Sequence, residues 1–362
     1  VLTSRPVGKN QRVPMAGVPH HAAEGYIARL IAKGYKVALC EQIGTETVRG
    51  LMPREVVRIF TAGTVIEPGM LDAGRNNYLV AVVREGEQAG LAYADITTGD
   101  FATTQLPTFH ALQEELARLA PAELILPDGE MSLNGTSPAI SRLPNWRYEE
   151  GNARQVLEKH FGVRSLDPFG CEHKPLAIRA AGAILHYLYE TQKGSIAQIQ
   201  RLATYQIDGY MALSEATRRH LELVESFSGE RRHSLLGVLD NTVTAMGARL
   251  LRRRITQPLL DQSRIESRLE QVDAFFQDGL LRADHRAALK ELPDLERLAN
   301  RVLSERATPR DLEHIGLVLA AIPALQETLL DSREPTDCLH ELATELDTCP
   351  EVATLIAVSY TH

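Results

Sequence analysis

Apolar positions along the chain change their period from one region to the next, and the changes outline its organisation. Over residues 20–34, Ala23, Tyr26, Ile27, Leu30 and Ile31 recur at i, i+3, i+4 spacing, which aligns them on one face of a helix, and Gly34 stands where such a helix would stop. "YKVALCEQ" and "REVVRIFTAG", with Val56, Val57 and Ile59, then read as strands, so residues 1–64 predict a mixed α/β module. "TVIEPGMLDAGRN" is rich in turn formers and charges and predicts a linker over 65–76. Next, "NYLVAVVRE" and "AGLAYADITTGDFATTQL" predict two or three strands joined through "GEQAG". A helix over 108–119, a strand "AELILPD", a strand near "WRYEE" and a helix "ARQVLEKHFG" follow. This order predicts a compact α/β domain with a mixed sheet over 77–169.

After "DPFGCEHKP" the pattern becomes nearly all helical, and residues 170–362 predict a multi-helix domain. "LAIRAAGAILHYLYETQ" reads as one amphipathic helix. "TAMGARLLRRRITQP" has a cap at Thr244 and a stop before Pro258. Ser263 with Glu266, and Thr308 with Asp311, have capping-box spacing, and Pro309 suits the first helical position. The fold class expected is therefore multidomain, α/β followed by all-α.

A length of 362 residues suits two or three such domains, and 44% hydrophobic residues supply more than one core. No apolar run approaches the roughly 18 residues of a membrane span, and no basic-then-apolar leader opens the chain. Opening on valine, "VLTSRPVGKNQRVPMAG" starts as if inside a domain, and a fragment is expected. Cys40, Cys171, Cys338 and Cys349 are scattered without close-paired metal spacing, which points to a reducing cytoplasm. The net charge of −8 argues against a uniformly basic nucleic-acid binder. Residues 1–64, however, hold nine Lys and Arg against four Glu, a net +5, which leaves −13 for the remainder. Any polyanion contact is expected at that basic end.

The candidate chemistry is sparse. His20, His21, Glu24, Cys40 and Glu41 crowd the N-terminal module, but adjacent histidines point about 100° apart on a helix and cannot share an ion, so no metal site is expected. Cys40 reads as a small core residue of its strand. Asp95 and Asp100 raise the alternative of a Mg²⁺-dependent nuclease. Read on one strand, they would face opposite sides about 16 Å apart and would need Glu114, Glu115 or Asp128 to complete a site. The arginine clusters 218–219, 231–232 and 252–254 could meet phosphates, but among so many acidic residues the expectation is salt-bridged outer faces. No G-x-x-x-x-G-K-[ST] loop and no G-x-S-x-G elbow occurs in the chain. Catalytic, cofactor-binding and metal-ligating residues are therefore not expected.

"VPMAGVPHHAAEGYIARLIAKGYKVALCEQIG" resembles the MutS family of DNA mismatch-repair proteins. The resemblance continues through "REVVRIFTAGTV", "NYLVAVV", "YADITTGDF", "PAELILP", "EATRRHLEL", "SLLGVLDNTVTAMGARLLRRRITQPLLD" and "LPDLERLANRVLSERATPRDL". It implies a mismatch-recognition domain, an RNase H-like connector and a helical core or lever domain. It also implies a dimeric parent that binds duplex DNA containing mismatches or small loops, uses ATP and Mg²⁺, engages a MutL-like partner, and works in the bacterial cytoplasm at the nucleoid. By position, Arg5 matches a DNA-backbone-contacting arginine, Met15 and Gly17 match the loop beside the mismatch reader, and Pro19 shapes that loop. The same resemblance implies that the family's Phe-x-Glu reader precedes "LTSRP", and that the clamp and the phosphate-loop ATPase follow residue 362. Three positions depart from the pattern: Pro6 stands for the usual glycine, His20 for a frequent tyrosine, and Arg254 for a tryptophan. A relative that acts in recombination without reading mismatches is the remaining alternative.

Overall fold

A computed structural model describes residues 2–7, 11–44, 52–130, 138–193, 196–332 and 336–361. The N-terminal module is built from two separate two-stranded ribbons and one helix. β1 (Leu2–Val7) and β2 (Gln11–Ala16) pair antiparallel. A 3-10 turn at His20–Ala22 leads into α1 (Ala23–Ala32), and β3 (Val37–Gln42) pairs antiparallel with β4 (Arg54–Phe60). Gly34, with φ at +82°, ends the helix as its position predicts. β3 is exposed along nearly its whole length, and Cys40 with it, so the expectation of a core strand fails. A two-stranded ribbon has no second layer to bury its faces.

The connector is a three-layer sandwich. β5 (Leu79–Glu85), β6 (Gln88–Asp95) and β7 (Asp100–Leu106) form an antiparallel meander. α2 (Phe109–Leu119) then crosses one face and returns the chain to β8 (Glu123–Pro127), parallel to β5, with β9 (Ala139–Leu143) parallel beyond it. Successive β5 residues face opposite sides, yet Leu79 to Val83 are all apolar and buried, because helices cover both faces; only Arg84 and Glu85 at the strand end are exposed. Leu79, Ala81 and Val83 pack under α3 (Glu150–Phe161) and α4 (Pro175–Gln192), while Val80 and Val82 pack under Leu112 and Leu116 of α2. The strand expected near "WRYEE" is a 3-10 turn, Asn145–Tyr148, and the edge strand is β9 instead.

The boundary expected at 169/170 falls inside this unit. α4 is buried on nearly every side between the sheet and α3, so it is a core helix of the connector rather than an amphipathic helix of the next domain. The two helices cross so closely that a Cβ at Gly182 would lie 2.4 Å from Ala153 Cβ. β10 (Ala203–Thr204) then joins the sheet parallel to β7.

Helices make up the rest: α5 (Glu215–His220), α6 (Leu235–Leu239), α7 (Ala245–Thr256), α8 (Gln262–Gln277), α9 (Gly279–Lys290), α10 (Leu295–Leu303), α11 (Pro309–Leu330), α12 (Asp337–Glu345) and α13 (Pro350–Thr361). Thr244 caps α7, and Thr308 with Asp311 forms the expected capping box of α11, with Pro309 in its first turn. At α8 the cap is Asp261 rather than Ser263, which lies one position inside the helix; Asp261 Oδ1 accepts from Arg264 N–H at 3.0 Å. Two apolar clusters hold this region, one around Leu281, Leu329 and Leu339 and the other around Leu298, Ile315, Leu319 and Ile322.

Candidate nucleic-acid interface

The register of the first ribbon sets Arg5 opposite Val13 and Thr3 opposite Met15. Every residue from Gln11 to Pro19 is exposed, Met15 at 42% and Val18 at 46%. Met15, Gly17 and Pro19 thus follow one another along one open strand-to-loop segment. Pro19 C=O accepts from Ala22 N–H at 3.0 Å and so starts the turn into α1. Arg12 Nε donates to Ser4 Oγ at 2.9 Å and braces the ribbon from the outside. Arg5 is placed by its backbone only; its side chain, like that of His20, lies outside the described residues. Among the described residues no three His, Cys, Asp or Glu gather as metal ligands.

What holds this open module is a buried anchor that the sequence did not advertise. Glu123, at the start of β8, is fully buried. Its Oε2 accepts from Thr61 Oγ1 at 2.5 Å and from Gly63 N–H at 2.8 Å; its Oε1 accepts from Ser141 Oγ and from Tyr187 O–H at 2.5 Å. One carboxylate thus ties the segment after β4 to β8, β9 and α4. A buried charge is tolerable when hydrogen bonds replace its lost hydration, and four donors do so here. Gly63 fits because it has no side chain: a Cβ there would sit 2.7 Å from Leu79 Cδ1. Arg58 reinforces the joint, donating to Thr64 C=O at 3.1 Å, pairing with Glu67 and lying 4.2 Å over the Phe60 ring.

Residues 65–76 are not a free linker. Val65 is buried, Arg249 Nη1 donates to Ala73 C=O at 2.9 Å, and Arg297 Nη2 donates to Arg75 C=O at 2.8 Å. Arg249 is itself held by Asp294, at 2.7 and 2.8 Å, and by Glu296 at 2.5 Å. Asn300 Nδ2 donates to Ile96 C=O at 2.6 Å, so α10 also grips the turn between β6 and β7. Turn-rich composition marks irregular backbone, but partners elsewhere in the chain decide whether that backbone is loose.

Asp95 and Asp100 are paired directly across the β6–β7 hairpin, not spread along one strand, because residues 96–99 form the turn between them. Their proximity does not make a metal pair. Asp95 is fully buried, and its oxygens accept from Asn76 Nδ2 at 2.9 Å, Asn77 N–H at 3.0 Å, Thr97 N–H at 2.9 Å and Thr97 Oγ1 at 2.6 Å. Although Asp100 is exposed at the strand end, partial desolvation and the neighbouring Asp95 raise its carboxyl above the ordinary range. Glu115 serves Arg118 and Tyr205, and Glu114 faces His110. Asp95, Glu114 and Glu115 are thus committed to structural partners, and the nuclease alternative is not favoured.

The chain is thus a basic α/β module anchored on a connector sandwich, followed by helices. Family models match it segment by segment: MutS domain I over residues 1–68, MutS domain II over 77–200 and MutS domain III over 216–357. The chain belongs to the MutS family. Among curated relatives, the DNA mismatch repair protein MutS of Dehalococcoides mccartyi is 46% identical over 330 residues, which is 90% of this chain and 38% of that protein. The protein of the same name from Symbiobacterium thermophilum is 45% identical over 369 residues, 98% of this chain and 42% of its own length. That of Synechococcus elongatus is 43% identical over 356 residues, 92% of this chain and 40% of its own length. The chain therefore spans about two fifths of the MutS relatives it matches. The match to MutS domain II runs to residue 200, which agrees with the placement of α4 inside the connector.

Proposed function

We propose that this chain is the recognition, connector and core portion of a DNA mismatch-repair protein, and that it meets duplex DNA through β1, β2 and the loop Met15–Pro19. The observation that carries this reading is the contrast within the first module: residues 11–19 are all exposed, while the joint at Thr61–Thr64 and Glu123 is buried and fully hydrogen-bonded. A bare tip on a fixed base is what a surface that must present itself to a duplex requires. The +5 charge of residues 1–64 supplies a salt-dependent attraction, because neutralising phosphates releases condensed counterions. In this reading Arg5 contacts the backbone, while Met15, Gly17 and Pro19 lie beside the distorted step. Mismatched steps unstack more cheaply than matched ones, so deformability carries the discrimination.

The domain division proposed is recognition over 1–64, connector from 77 to about β10, and core from α5 onward. For the parent protein we propose a homodimer in the bacterial cytoplasm, associated with the nucleoid, that uses ATP with Mg²⁺ and a MutL-like partner. Among the described residues no helix is long and apolar enough to cross a membrane. The 362 residues contain no G-x-x-x-x-G-K-[ST] phosphate loop.

Titration of labelled matched and G·T-containing duplexes at several salt concentrations tests the reading. Phosphate contacts position a protein without carrying sequence information. The chain contains no Phe-x-Glu, so both duplexes should bind weakly and within about tenfold of each other, roughly 1.4 kcal/mol. Arg5→Ala should weaken both equally and flatten the log–log salt slope by about one unit. An unchanged slope would remove Arg5 from the interface.

A further inference from the structure

Where the connector meets the core, the C-terminal end of α2, segment 75–78, α5 with the loop after it, and α7 enclose a cavity of about 420 Å³. That volume lies within the range of small-ligand sites. Seven arginines and two glutamates line it. Two of the arginines are neutralised within the protein: Arg118 by Glu115, and Arg249 by Asp294 and Glu296. The other five, Arg75, Arg218, Arg219, Arg252 and Arg253, form no ion pair among the described residues. Both glutamates, Glu215 and Glu225, are exposed. The expectation of salt-bridged outer faces holds for Arg231 with Asp240 and for Arg232 with Glu230, but it fails for Arg218, Arg219, Arg252 and Arg253.

Two of these guanidiniums are fixed rather than swinging in solvent. Arg218 donates to Leu213 C=O at 3.0 Å and to Thr256 C=O at 2.5 Å, and Arg75 donates to Ala120 C=O at 3.2 Å. The latter bond covers a carbonyl at the α2 terminus, whose negative end would otherwise repel an anion. Arg252 is half-buried, and its pKa is held below the ordinary guanidinium value, first by burial and then by Arg75; Glu225 pulls the other way. Crowding unpaired cations in a partly desolvated space costs stability unless an anion completes the set. Tyr78, Leu119, Leu223 and Val224 add an apolar wall.

From this combination we infer that the cavity binds a small phosphate-bearing anion, its phosphoryl oxygens held by Arg75, Arg218 and Arg252 and any organic body lying on the Tyr78–Leu223 wall. Guanidinium forks match phosphoryl oxygens in geometry, and they are weakly hydrated enough to work half-buried. The site joins connector and core, so an occupant would brace that joint. The inference is independent of the duplex-binding reading, because none of its residues belongs to the N-terminal module.

Calorimetric titration of the 362-residue chain with inorganic pyrophosphate and, separately, adenosine monophosphate tests it. Saturable binding with a Kd below about 1 mM is expected for at least one of them. The tighter arm identifies the source: the nucleotide if the apolar wall takes a base, pyrophosphate if the guanidiniums act alone. Arg252→Gln should weaken binding at least about tenfold, whereas Arg286→Gln, outside the cavity, should leave it unchanged. Without ligand, Arg252→Gln should melt at the same temperature as the parent or higher, since it removes an unpaired charge. Binding that survives Arg252→Gln and Arg218→Gln, or no saturation by either anion, overturns the proposal. Competition by duplex DNA at equal phosphate concentration overturns the small-ligand assignment.

Discussion

Glu123 shows how much one buried side chain can decide. Its carboxylate accepts four donors from three different segments, so it sets the position of the N-terminal module on the connector. Truncation would leave the buried Gly63 N–H without its acceptor and strip the central acceptor from the hydroxyls of Thr61, Ser141 and Tyr187. Glu123→Ala is therefore expected to cost about 3 kcal/mol or more, whereas Glu123→Gln, which keeps one oxygen among hydroxyls that can rotate, should cost about 1–2 kcal/mol. Urea denaturation followed by circular dichroism would measure both; equal losses would mean that packing, not acceptor capacity, governs the site. In the sequence, Glu123 is one acidic residue at the head of "ELILP", and no local pattern separates it from a surface glutamate. Asp95 has the same history. Its four donors come from residues 76, 77 and 97, and only folding gathers them.

Among the secondary-structure elements, α4 departs furthest from its sequence reading. Its small residues Ala177, Ala180, Ala181, Gly182 and Ala183 are all buried, because this helix lies between a sheet and a second helix. The contact with α3 leaves no room at Gly182, where a Cβ would also lie 2.5 Å from Ala153 Cα. Gly182→Ala should push the helices apart and destabilise the connector by about 1–3 kcal/mol despite the better helix propensity of alanine. Adding Ala153→Gly should recover part of that loss, and a double-mutant cycle on the unfolding midpoints would reveal the coupling. Strict additivity would show that the two positions do not meet. By contrast, α7 and α11 begin where their caps predicted, because a cap is a bond between neighbours in sequence.

For the molecule as a whole, burial of three histidines ties stability to pH. His160 sits at the end of α3, with Nδ1 at 2.8 Å from Tyr189 O–H and Nε2 at 2.7 Å from Ile199 C=O, and burial lowers its pKa. His186 is lowered by burial and by Arg147, and His285 by burial. Above the ordinary value of 6.5 both folded and unfolded chains keep these rings neutral, and they contribute nothing to the pH dependence. As pH falls below it, the unfolded chain takes up protons first, so stability drops until the folded pKa values are passed. Asp100 acts in the opposite sense, since its raised carboxyl lets the folded chain take that proton first. The urea midpoint should therefore be lower at about pH 5.5 than at about pH 7.5, and His160→Gln should shrink the difference. A difference unchanged in that variant would remove His160 from the effect.

The features that the sequence determined alone rest on near neighbours or on long ordered motifs. The period of α1, the caps at Thr244 and Thr308, the strands β5 to β7 joined by short turns, and the family membership carried by "VPMAGVP" through "ATPRDL" all belong to this class. Tertiary structure decided the rest, because it depended on contacts between residues far apart in the chain. Folding set Asp95 opposite Asp100, moved α4 into the connector, and turned residues 65–76 from a linker into a clamped strap. It also left five arginines around one cavity without an ion pair among the described residues. Composition reports how many charges a chain holds, but which of them meet is settled only when distant elements pack.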